Sequence, residues 1–287
     1  MPIKPSELIL NPDGSIYHLN LKPKDIADTI IFVGDQDRVS QVTKHFDSIY
    51  FETQKREFKT QTGLFKGKCI TVISTGIGTD NIDIVLNELD ALVNIDFGTR
   101  TIKKQLKSLN IVRIGTTGAV QKDIPLDSFL ISTHALDLVG MLHAYQIETI
   151  SNSSLEDAFI AHTNWGKNRA RPIVVEGSKT LIDKFKSDQT HEGLTVTASG
   201  FYGPQGRILR LPISNESLNK NMESFSFGNT KITNLEMETS GIYGLAKLLG
   251  HRAISLNAII ANRPNGTFSS NPKATIEKLI THTLERI

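Results

Sequence analysis

The stretch Ile111-Val112-Arg113-Ile114-Gly115-Thr116-Thr117-Gly118-Ala119 decides how the rest of the chain is interpreted. Its first half is a β-branched run, which is typical of a buried strand. Its second half carries two glycines, where the backbone can turn sharply and come close to a ligand. A buried arginine is costly unless its guanidinium meets an anion, and the two threonines add hydroxyl donors. The stretch therefore predicts an oxyanion site, with phosphate as the favoured occupant, or else a buried arginine paired with a carboxylate beside an ordinary turn.

The composition is that of an ordinary globular protein. With 287 residues, 39% hydrophobic and 22% charged, the chain can bury a substantial core in one α/β domain or two. A net charge of +2 does not indicate a nucleic-acid partner. The single cysteine, Cys69, excludes an intrachain disulfide and a zinc-binding thiolate cluster. Because there is no signal peptide or membrane-spanning run, we expect a cytoplasmic protein with no membrane partner and no metal site.

Two other predicted strands end in glycine-bearing loops that can accommodate an anion. The apolar run Thr29–Val33 stops at Gly34, and Arg38 follows in the first turn of a predicted helix. A cation at that position opposes the helix dipole and gains from a bound anion. A second loop, Gly76–Thr79, follows another strand and leads into a helix for which Asp80 is the expected cap. Each loop alone is a weak signal, because most strand-to-helix turns bind nothing.

The segment Phe201–Arg207 has a different chemistry. It holds two aromatic rings, a primary amide and a guanidinium, a set that can stack on a flat ring and hydrogen-bond its edge. An aromatic surface turn would have the same composition. Ligands of α/β sheets gather outside the carboxyl ends of the strands, so we expect this segment and the glycine-bearing loops to meet.

The remaining pattern predicts one α/β domain over residues 1–287 with a mixed sheet, because strands and helices alternate without an internal repeat. A helix is expected to open at Asn234–Glu238, with its acidic residues in the first turn. The last buried strand is predicted at Ala253–Ala261, and a terminal helix from about Asn271. Residues 133–172 are predicted to be irregular.

Seven short motifs, in the same order along the chain, resemble those of the nucleoside phosphorylase family. They are Gly-Asp-x-Asp-Arg (34–38), Arg-Glu-Phe (56–58), Ser-Thr-Gly-Ile-Gly (74–78), Arg-Ile-Gly-Thr-Thr-Gly-Ala (113–119), Phe-Tyr-(four residues)-Arg (201–207), Glu-Met-Glu (236–238) and Asn-Arg (262–263). Each motif alone is modest, but the ordered set is specific, and the resemblance covers nearly the whole chain from Tyr17 onward. It is closest to the members of the family that cleave uridine.

The resemblance implies a three-layer α/β/α sandwich around a mixed, partly barrel-like central sheet. It implies a homodimer or homohexamer with active sites shared between subunits, nucleoside and inorganic phosphate as substrates, and no cofactor. Some relatives hold a monovalent cation at a subunit interface, where the matching positions here are Glu57, Ile77 and Asn81. Because Asn81 replaces a serine, the resemblance leaves open whether a potassium ion binds at these positions.

The resemblance also implies roles for individual residues. Phosphate would be bound by Gly34, Arg38, Arg113 and Thr116, together with Arg56 of the neighbouring subunit. Ribose would be bound by Glu236, Met237 and Glu238, together with His18 of the neighbouring subunit at the 5′-hydroxyl. The base would be bound by Phe201, Gln205, Arg207 and Arg263, the last of which would help to order Arg207. The catalytic residues would be Arg113, Glu238 and Arg207.

The implied reaction is reversible phosphorolysis of uridine to uracil and ribose 1-phosphate. Purine-cleaving relatives commonly carry an aspartate after the last strand, where this chain has Ala261-Asn262-Arg263, so a pyrimidine nucleoside is favoured. A purine or broad-specificity phosphorylase, a hydrolase of the same fold and a non-catalytic nucleoside-binding homologue are the alternatives. Two departures stand out: Gln36 replaces the family's proline, and the base loop differs in residue order from the family's pattern.

Overall fold

The central sheet is built from the apolar runs that precede the polar loops. The computed structural model describes residues 1–287, which form fourteen strands and seven α-helices. The strands are β1 Thr29–Val33, β2 Ser48–Lys55, β3 Phe58–Phe65, β4 Lys68–Ser74, β5 Ile95–Asp96, β6 Thr101–Ile102, β7 Asn110–Ala119, β8 Phe129–Asp137, β9 Ile173–Glu176, β10 Thr190–Thr197, β11 Ser226–Phe227, β12 Thr230–Glu236, β13 Arg252–Asn262 and β14 Thr267–Phe268. The helices are α1 Gln36–Thr43, α2 Thr79–Asn94, α3 Ser153–Thr163, α4 Lys179–Phe185, α5 Leu218–Ser224, α6 Thr239–Leu248 and α7 Pro272–Leu284.

The main sheet is mixed and partly closed on itself. Its strand order is β11-β12-β10-β8-β13-β7-β1-β4-β3-β2, with β9 on β8 and β14 on β13. β12 also pairs with the end of β7, antiparallel, through Asn234 with Ala119 and Leu235 with Gly118. This extra pairing closes β7, β12, β10, β8 and β13 into a barrel, as the resemblance implied.

The sheet separates two large hydrophobic clusters, because successive side chains of a strand point to opposite faces. Ile30 and Phe32 of β1 pack into the cluster that contains α2 and α6, whereas Ile31 and Val33 pack with α1, α4 and α7. A third cluster joins α3 and α5 to β8, β10 and β12. The predicted three-layer sandwich is therefore confirmed. None of its helices combines the length and the apolar character needed to cross a membrane.

The stretch Ile111–Ala119 does not turn at Gly115. β7 stays paired with β13 as far as Ala119, and Gly118 and Ala119 pair with β12 as well. Hydrogen bonding along this length keeps the backbone extended. The expected turn at Gly115–Gly118 is therefore wrong, and the glycines serve close approach of other groups instead.

The acidic segment Glu236–Glu238 ends a strand and does not begin a helix. Glu236 is the last residue of β12, and α6 begins at Thr239. The Glu236 carboxylate accepts hydrogen bonds from the backbone N–H groups of Glu238 and Thr239, both at 2.9 Å. These groups lie at the start of α6, where helical N–H groups have no partner within the helix. Acidic residues before a helix look alike in sequence whether they lie inside it or cap it from a preceding strand.

Residues 133–172 contain more regular structure than predicted, because β8 runs on to Asp137 and α3 covers Ser153–Thr163. The buried side of α3 includes the polar Glu156 and Thr163, which break the apolar period. Asp80 lies inside α2, and the N-cap of that helix is Gly78. The predicted last strand and terminal helix agree with β13 and α7.

Candidate active site

A cavity of about 310 Å³ opens where the carboxyl ends of β1, β4, β7, β10 and β12 meet. Because β1 is parallel to both β4 and β7, their polar ends lie side by side. The residues with an implied substrate role that line this cavity are Gly34, Arg38, Arg113, Thr116, Phe201, Gln205, Arg207, Glu236, Met237 and Glu238. We call Gly34, Arg38, Arg113 and Thr116 its cationic end, and Phe201, Gln205 and Arg207 its aromatic end.

At the cationic end, the positive charges of two guanidinium groups, those of Arg38 and Arg113, repel each other. Arg38 is half-buried in the first turns of α1, and its side chain forms no ion pair with a carboxylate of the chain. Burial lowers the pKa of Arg38, and the positive charge of Arg113 lowers that pKa further. Two cations that repel each other in a partly desolvated cavity are stabilised by an anion placed between them.

Arg113 is almost fully buried and is held by acidic and neutral partners. Its Nη2 donates to Glu238 Oε2 at 2.5 Å and lies 3.3 Å from Glu236 Oε2. Its Nη1 donates to Asn257 Oδ1 at 2.8 Å. Burial alone would lower the pKa of Arg113, but the carboxylates of Glu236 and Glu238 outweigh it and raise that pKa. Arg113 therefore remains a permanent cation. Its guanidinium is paired with carboxylates, which was one of the two expectations, and it also lines the cavity, where its binding of phosphate stays a prediction.

Glu236 and Glu238 differ in how much of their hydrogen-bonding capacity is taken up within the chain. Besides the two backbone N–H groups at the start of α6, Glu236 accepts the Thr197 hydroxyl at 2.7 Å, so it acts mainly to fix the helix start. Glu238 accepts the N–H of Gly78 at 2.8 Å through Oε1 and Arg113 through Oε2. Burial raises the pKa of Glu238, and the positive charge of the nearby Arg113 offsets only part of this rise. Glu238 keeps acceptor capacity for hydroxyl groups of a ligand.

Thr116 and Thr117 of β7 also differ: the hydroxyl of Thr117 is hydrogen-bonded within the chain, and that of Thr116 is free. Thr117 donates to the Leu235 carbonyl at 2.7 Å and accepts from the Asn234 amide at 3.1 Å. Thr116 lines the cavity, and its hydroxyl has no hydrogen-bond partner within the chain. Only Thr116 is available to donate to an anion at the cationic end.

The aromatic end is organised by contacts within its own loop. The Arg207 guanidinium lies 3.8 Å above the centre of the Phe201 ring. Arg207 Nη1 donates to the Phe201 carbonyl and to Gln205 Oε1, both at 2.6 Å. The Gln205 side chain is therefore held with its oxygen toward Arg207, and its NH₂ group is left as a donor. Burial lowers the pKa of Arg207.

Arg263 supports the aromatic end from behind. It does not line the cavity; its Nη2 donates to the Gln205 backbone carbonyl at 2.6 Å, and it makes no hydrogen bond to Arg207. Its Nη1 is buried without a partner. Burial lowers the pKa of Arg263 to about 10, and the charge of Arg207 adds to this effect. Arg263 thus anchors the backbone at Gln205.

His18 and Arg56 lie outside the cavity of their own chain. His18 Nδ1 is 2.6 Å from Glu88 Oε1, and Glu88 also accepts the backbone N–H of His18 at 3.0 Å. Arg56 is exposed at the turn between β2 and β3, with φ of 54°, and its carbonyl accepts from Gln36 Nε2 at 2.7 Å. Their assignment to a neighbouring subunit's site stays a prediction.

Sequence reasoning missed several lining residues, namely Asp35, Ile260 and Phe268. β13 has an irregular register between Ile259 and Ala261, so both Ile260 and Ala261 line the cavity instead of alternating between faces. Phe268 reaches the cavity because β14 folds back on β13. Neither the bulge nor the short hairpin has a signal in the sequence beyond the turn residues before Phe268.

A larger groove of about 910 Å³ lies on the other side of the Phe201–Arg207 loop. Its lining is mainly apolar, for example Trp165, Leu209 and Leu211, and it shares Arg207 with the smaller cavity. No carboxylate lines it. Of these two cavities, the smaller one combines cations, carboxylates and the aromatic loop, and it is therefore the candidate active site.

Comparison with known proteins agrees with this geometry. A uridine phosphorylase of Thermococcus kodakarensis is 29% identical to the chain over 263 residues, which are 89% of this chain and 80% of that protein. A DeoD-type purine nucleoside phosphorylase of Shewanella amazonensis is 26% identical over 271 residues, 93% of this chain and 96% of that one. A Trypanosoma brucei nucleoside phosphorylase, whose crystal structure is described as showing uridine phosphorylase activity, has a TM-score of 0.88 and 28% identity, and the match covers 98% of this chain and 99% of that one. The family model of the Phosphorylase superfamily matches residues 28–284, and the chain belongs to this family.

Proposed function

We propose that the chain is a uridine phosphorylase, which uses inorganic phosphate to cleave uridine reversibly into uracil and ribose 1-phosphate. One observation carries this proposal. A single cavity has Arg38 and Arg113 at one end, Glu238 hydrogen-bonded to Arg113, and Gln205 with Arg207 at the other end. Anion, sugar diol and flat base thus each have complementary groups in one place.

The cationic end would hold phosphate against the anomeric carbon of the sugar. Arg38, Arg113 and the free Thr116 hydroxyl supply charge and donors, and fixing the phosphate replaces a bimolecular encounter. A phosphate oxygen forms a bond to the anomeric carbon as the bond from that carbon to the base nitrogen breaks. Positive charge builds up on the sugar in between, and the bound phosphate dianion stabilises it. No protein nucleophile and no cofactor is needed.

The aromatic end would stabilise the departing base. The electron pair of the broken glycosidic bond leaves with uracil, so negative charge spreads onto its carbonyl oxygens. The Arg207 guanidinium and the Gln205 NH₂ group are donors placed for these oxygens, in the manner of an oxyanion hole. Phe201 offers a ring face for stacking. Glu238 would meanwhile accept hydrogen bonds from the ribose hydroxyls.

Uridine is favoured over a purine nucleoside by Asn262, the last residue of β13. Asn262 is buried, and its amide donates to the carbonyls of Gln121 and Ile124, at 2.9 and 2.8 Å. It is therefore a structural residue and offers no carboxylate for a purine ring nitrogen. The carboxylates that line the cavity are Asp35, Glu236 and Glu238, all outside the aromatic end.

We further propose that two or more copies of the chain share their active sites, as a homodimer or homohexamer. This accounts for the positions of His18, which Glu88 holds in place, and of the exposed Arg56, since neither residue lines the cavity of its own chain. Glu57, Ile77 and Asn81 remain the proposed positions for an interface potassium ion.

A purine or broad-specificity nucleoside phosphorylase is the second candidate, because the chain is also 26% identical to the Shewanella amazonensis enzyme. The deciding experiment compares turnover of uridine, thymidine, cytidine and inosine, each with and without inorganic phosphate. We expect uridine to be cleaved fastest, only with phosphate, with ribose 1-phosphate as product. Inosine as the best substrate would favour the second candidate. Undiminished turnover without phosphate would indicate a hydrolase.

A further inference from the structure

The face of the sheet that carries Arg113 changes character along its length. In the register of β7 and β13, Ile111 lies opposite Ala253, Arg113 opposite Ser255, and Gly115 opposite Asn257. The first pair belongs to the hydrophobic cluster with α2 and α6. The next two pairs are polar or lack a side chain, although Ser255 and Asn257 are fully buried. A buried amide in a central strand requires a partner, and the partner here is Arg113.

The missing side chain at Gly115 creates the slot in which the guanidinium lies. A Cβ atom on Gly115 would collide with Arg113 Nη1 and would lie 2.7 Å from both Arg113 Cζ and Asn257 Oδ1. Arg113 therefore folds along the strand over Gly115, toward the residue directly opposite that glycine. Nη1 meets Asn257 Oδ1 at 2.8 Å, and this leaves Nη2 directed to Glu238.

The orientation of the Asn257 amide follows from its partners. A guanidinium only donates, so the atom that faces Nη1 must be the amide oxygen. The amide nitrogen then donates to Ser255 Oγ at 3.3 Å, and Ser255 Oγ accepts from Thr239 Oγ1 at 2.9 Å. Asn257 is thus held at both ends of its amide. It connects Arg113 to the start of α6.

Charge is the second reason for an amide at this position. Arg113 already has two carboxylates within 3.3 Å, those of Glu236 and Glu238. A third carboxylate at position 257 would hold the guanidinium equally well but would add negative charge next to the cationic end. We propose that Asn257 is a positioning residue for phosphate: its neutral amide fixes Arg113 over Gly115 without weakening the attraction of the cationic end for an anion. This inference rests on the proposed function, because it takes the anion to be phosphate.

The test compares Asn257→Ala with Asn257→Asp, using inorganic phosphate alone and calorimetry on the whole protein. Loss of a hydrogen bond to a charged group should weaken phosphate binding on the order of ten-fold in Asn257→Ala. Asn257→Asp keeps the shape and the acceptor but adds a charge, so we expect it to bind phosphate more weakly still, on the order of 100-fold below the parent. A merely structural role predicts the opposite order, with the near-isosteric Asp variant better than the Ala variant.

A second variant keeps the inference testable if Asn257→Asp does not fold. Gly115→Ala leaves Asn257 in place but closes the slot, and we expect it to weaken phosphate binding on the order of ten-fold or more. The matched control is Asn94→Ala, which also removes a buried, hydrogen-bonded amide but lies at the end of α2 and does not line the cavity. We expect it to change thermal stability and leave phosphate binding within two-fold or so.

The outcomes separate this inference from the proposed function. Parent-like phosphate binding by folded Asn257→Ala, Asn257→Asp or Gly115→Ala overturns the role of the slot. Phosphate binding that follows the expected order, in a protein that does not cleave uridine, overturns the proposed function but supports the inference. A folded parent protein that binds no phosphate at millimolar concentration overturns both. In an active protein, the phosphate KM should rise in the same order while the uridine KM changes little.

Discussion

The two ends of the cavity are built in different ways. The cationic end is built on two paired parallel strands: Arg113 and Thr116 lie inside β7, and Gly34 and Arg38 follow β1, with Arg38 in the first turn of α1. The aromatic end stands on one loop, in which Phe201, Gln205 and Arg207 hold one another. Phe201 is 52% exposed, whereas Arg113 is 8% exposed. The cationic end is thus preorganised by the sheet, and the aromatic end by local contacts that a base can complete.

This difference predicts how each end responds to substitution. Groups on the sheet are fixed before substrate binds, so losing one should affect the reaction itself. Groups on the loop act on one substrate only, so losing one should affect recognition of the base and leave phosphate binding intact.

Arg113→Ala should have the largest effect. Removing a preorganised electrostatic group of this kind costs about 2.7–4 kcal/mol, so we expect uridine phosphorolysis to fall on the order of 10²–10³-fold. The matched control is Arg252→Ala, which removes an exposed arginine at the start of the adjacent strand. Steady-state kinetics check both variants. Near-parental rates for Arg113→Ala in a folded protein would show that the cationic end has no part in the mechanism.

Arg207→Ala should have a smaller and more selective effect. We expect kcat/KM for uridine to fall on the order of 10–100-fold, because a charged donor to the leaving base is lost, while the phosphate KM stays close to the parental value. The preference for uridine over cytidine should also shrink. Arg210→Ala, an exposed arginine of the adjacent groove, is the control. A rise in the phosphate KM as large as the fall in kcat/KM for uridine would show that the two ends are not independent.

Mixing two inactive variants tests whether the cationic end is completed by a second subunit. Arg56→Ala and Glu238→Ala homo-oligomers should each be nearly inactive. If Arg56 acts on the neighbour's phosphate, mixed assemblies regain complete sites, up to about one quarter of all sites in a random equal mixture of dimers. Native mass spectrometry would verify the mixed assemblies before the activity assay. No recovery in verified mixed assemblies contradicts a shared site.

The two threonines of β7 give the smallest and sharpest contrast. Thr116→Val removes the free hydroxyl of the cavity and should raise the phosphate KM about five- to ten-fold, with little change in melting temperature. Thr117→Val removes the hydroxyl that donates to the buried Leu235 carbonyl and leaves the Asn234 amide nitrogen without an acceptor, so it should lower the free energy of unfolding by about 1–3 kcal/mol. Its phosphate KM should remain near the parental value. Thermal denaturation and phosphate titration distinguish the two, and the reverse pattern would refute the assignment.

Much of the fold is predictable because short sequence patterns indicate the individual strands and helices. The sequence predicts a strand at Thr29–Val33, with the bounds that β1 has, since a short β-branched run before a glycine is a strong local signal. The end of β7 was not predictable, because the pairing of Gly118 and Ala119 with β12 joins segments more than a hundred residues apart. The start of α6 was misplaced for the same kind of reason. Whether Glu236 lies in a strand or a helix depends on β10, which pairs with β12 at Thr197.

By itself, the sequence determined which chemical groups are available: arginines after and within buried strands, a Glu-Met-Glu segment, and a loop with two aromatics, an amide and a guanidinium. Which of these groups meet, which are free and which are already hydrogen-bonded depends on the fold. Thr116 and Thr117 are identical, adjacent in sequence and both in the cavity lining, yet the hydroxyl of Thr116 is free and that of Thr117 is bonded to the Leu235 carbonyl. Asn257 has no motif at all, and its role arises because the register of β13 places it opposite Gly115. The physical reason is that hydrogen-bond satisfaction and charge balance in a buried site depend on neighbours that the sheet brings together and the chain keeps far apart.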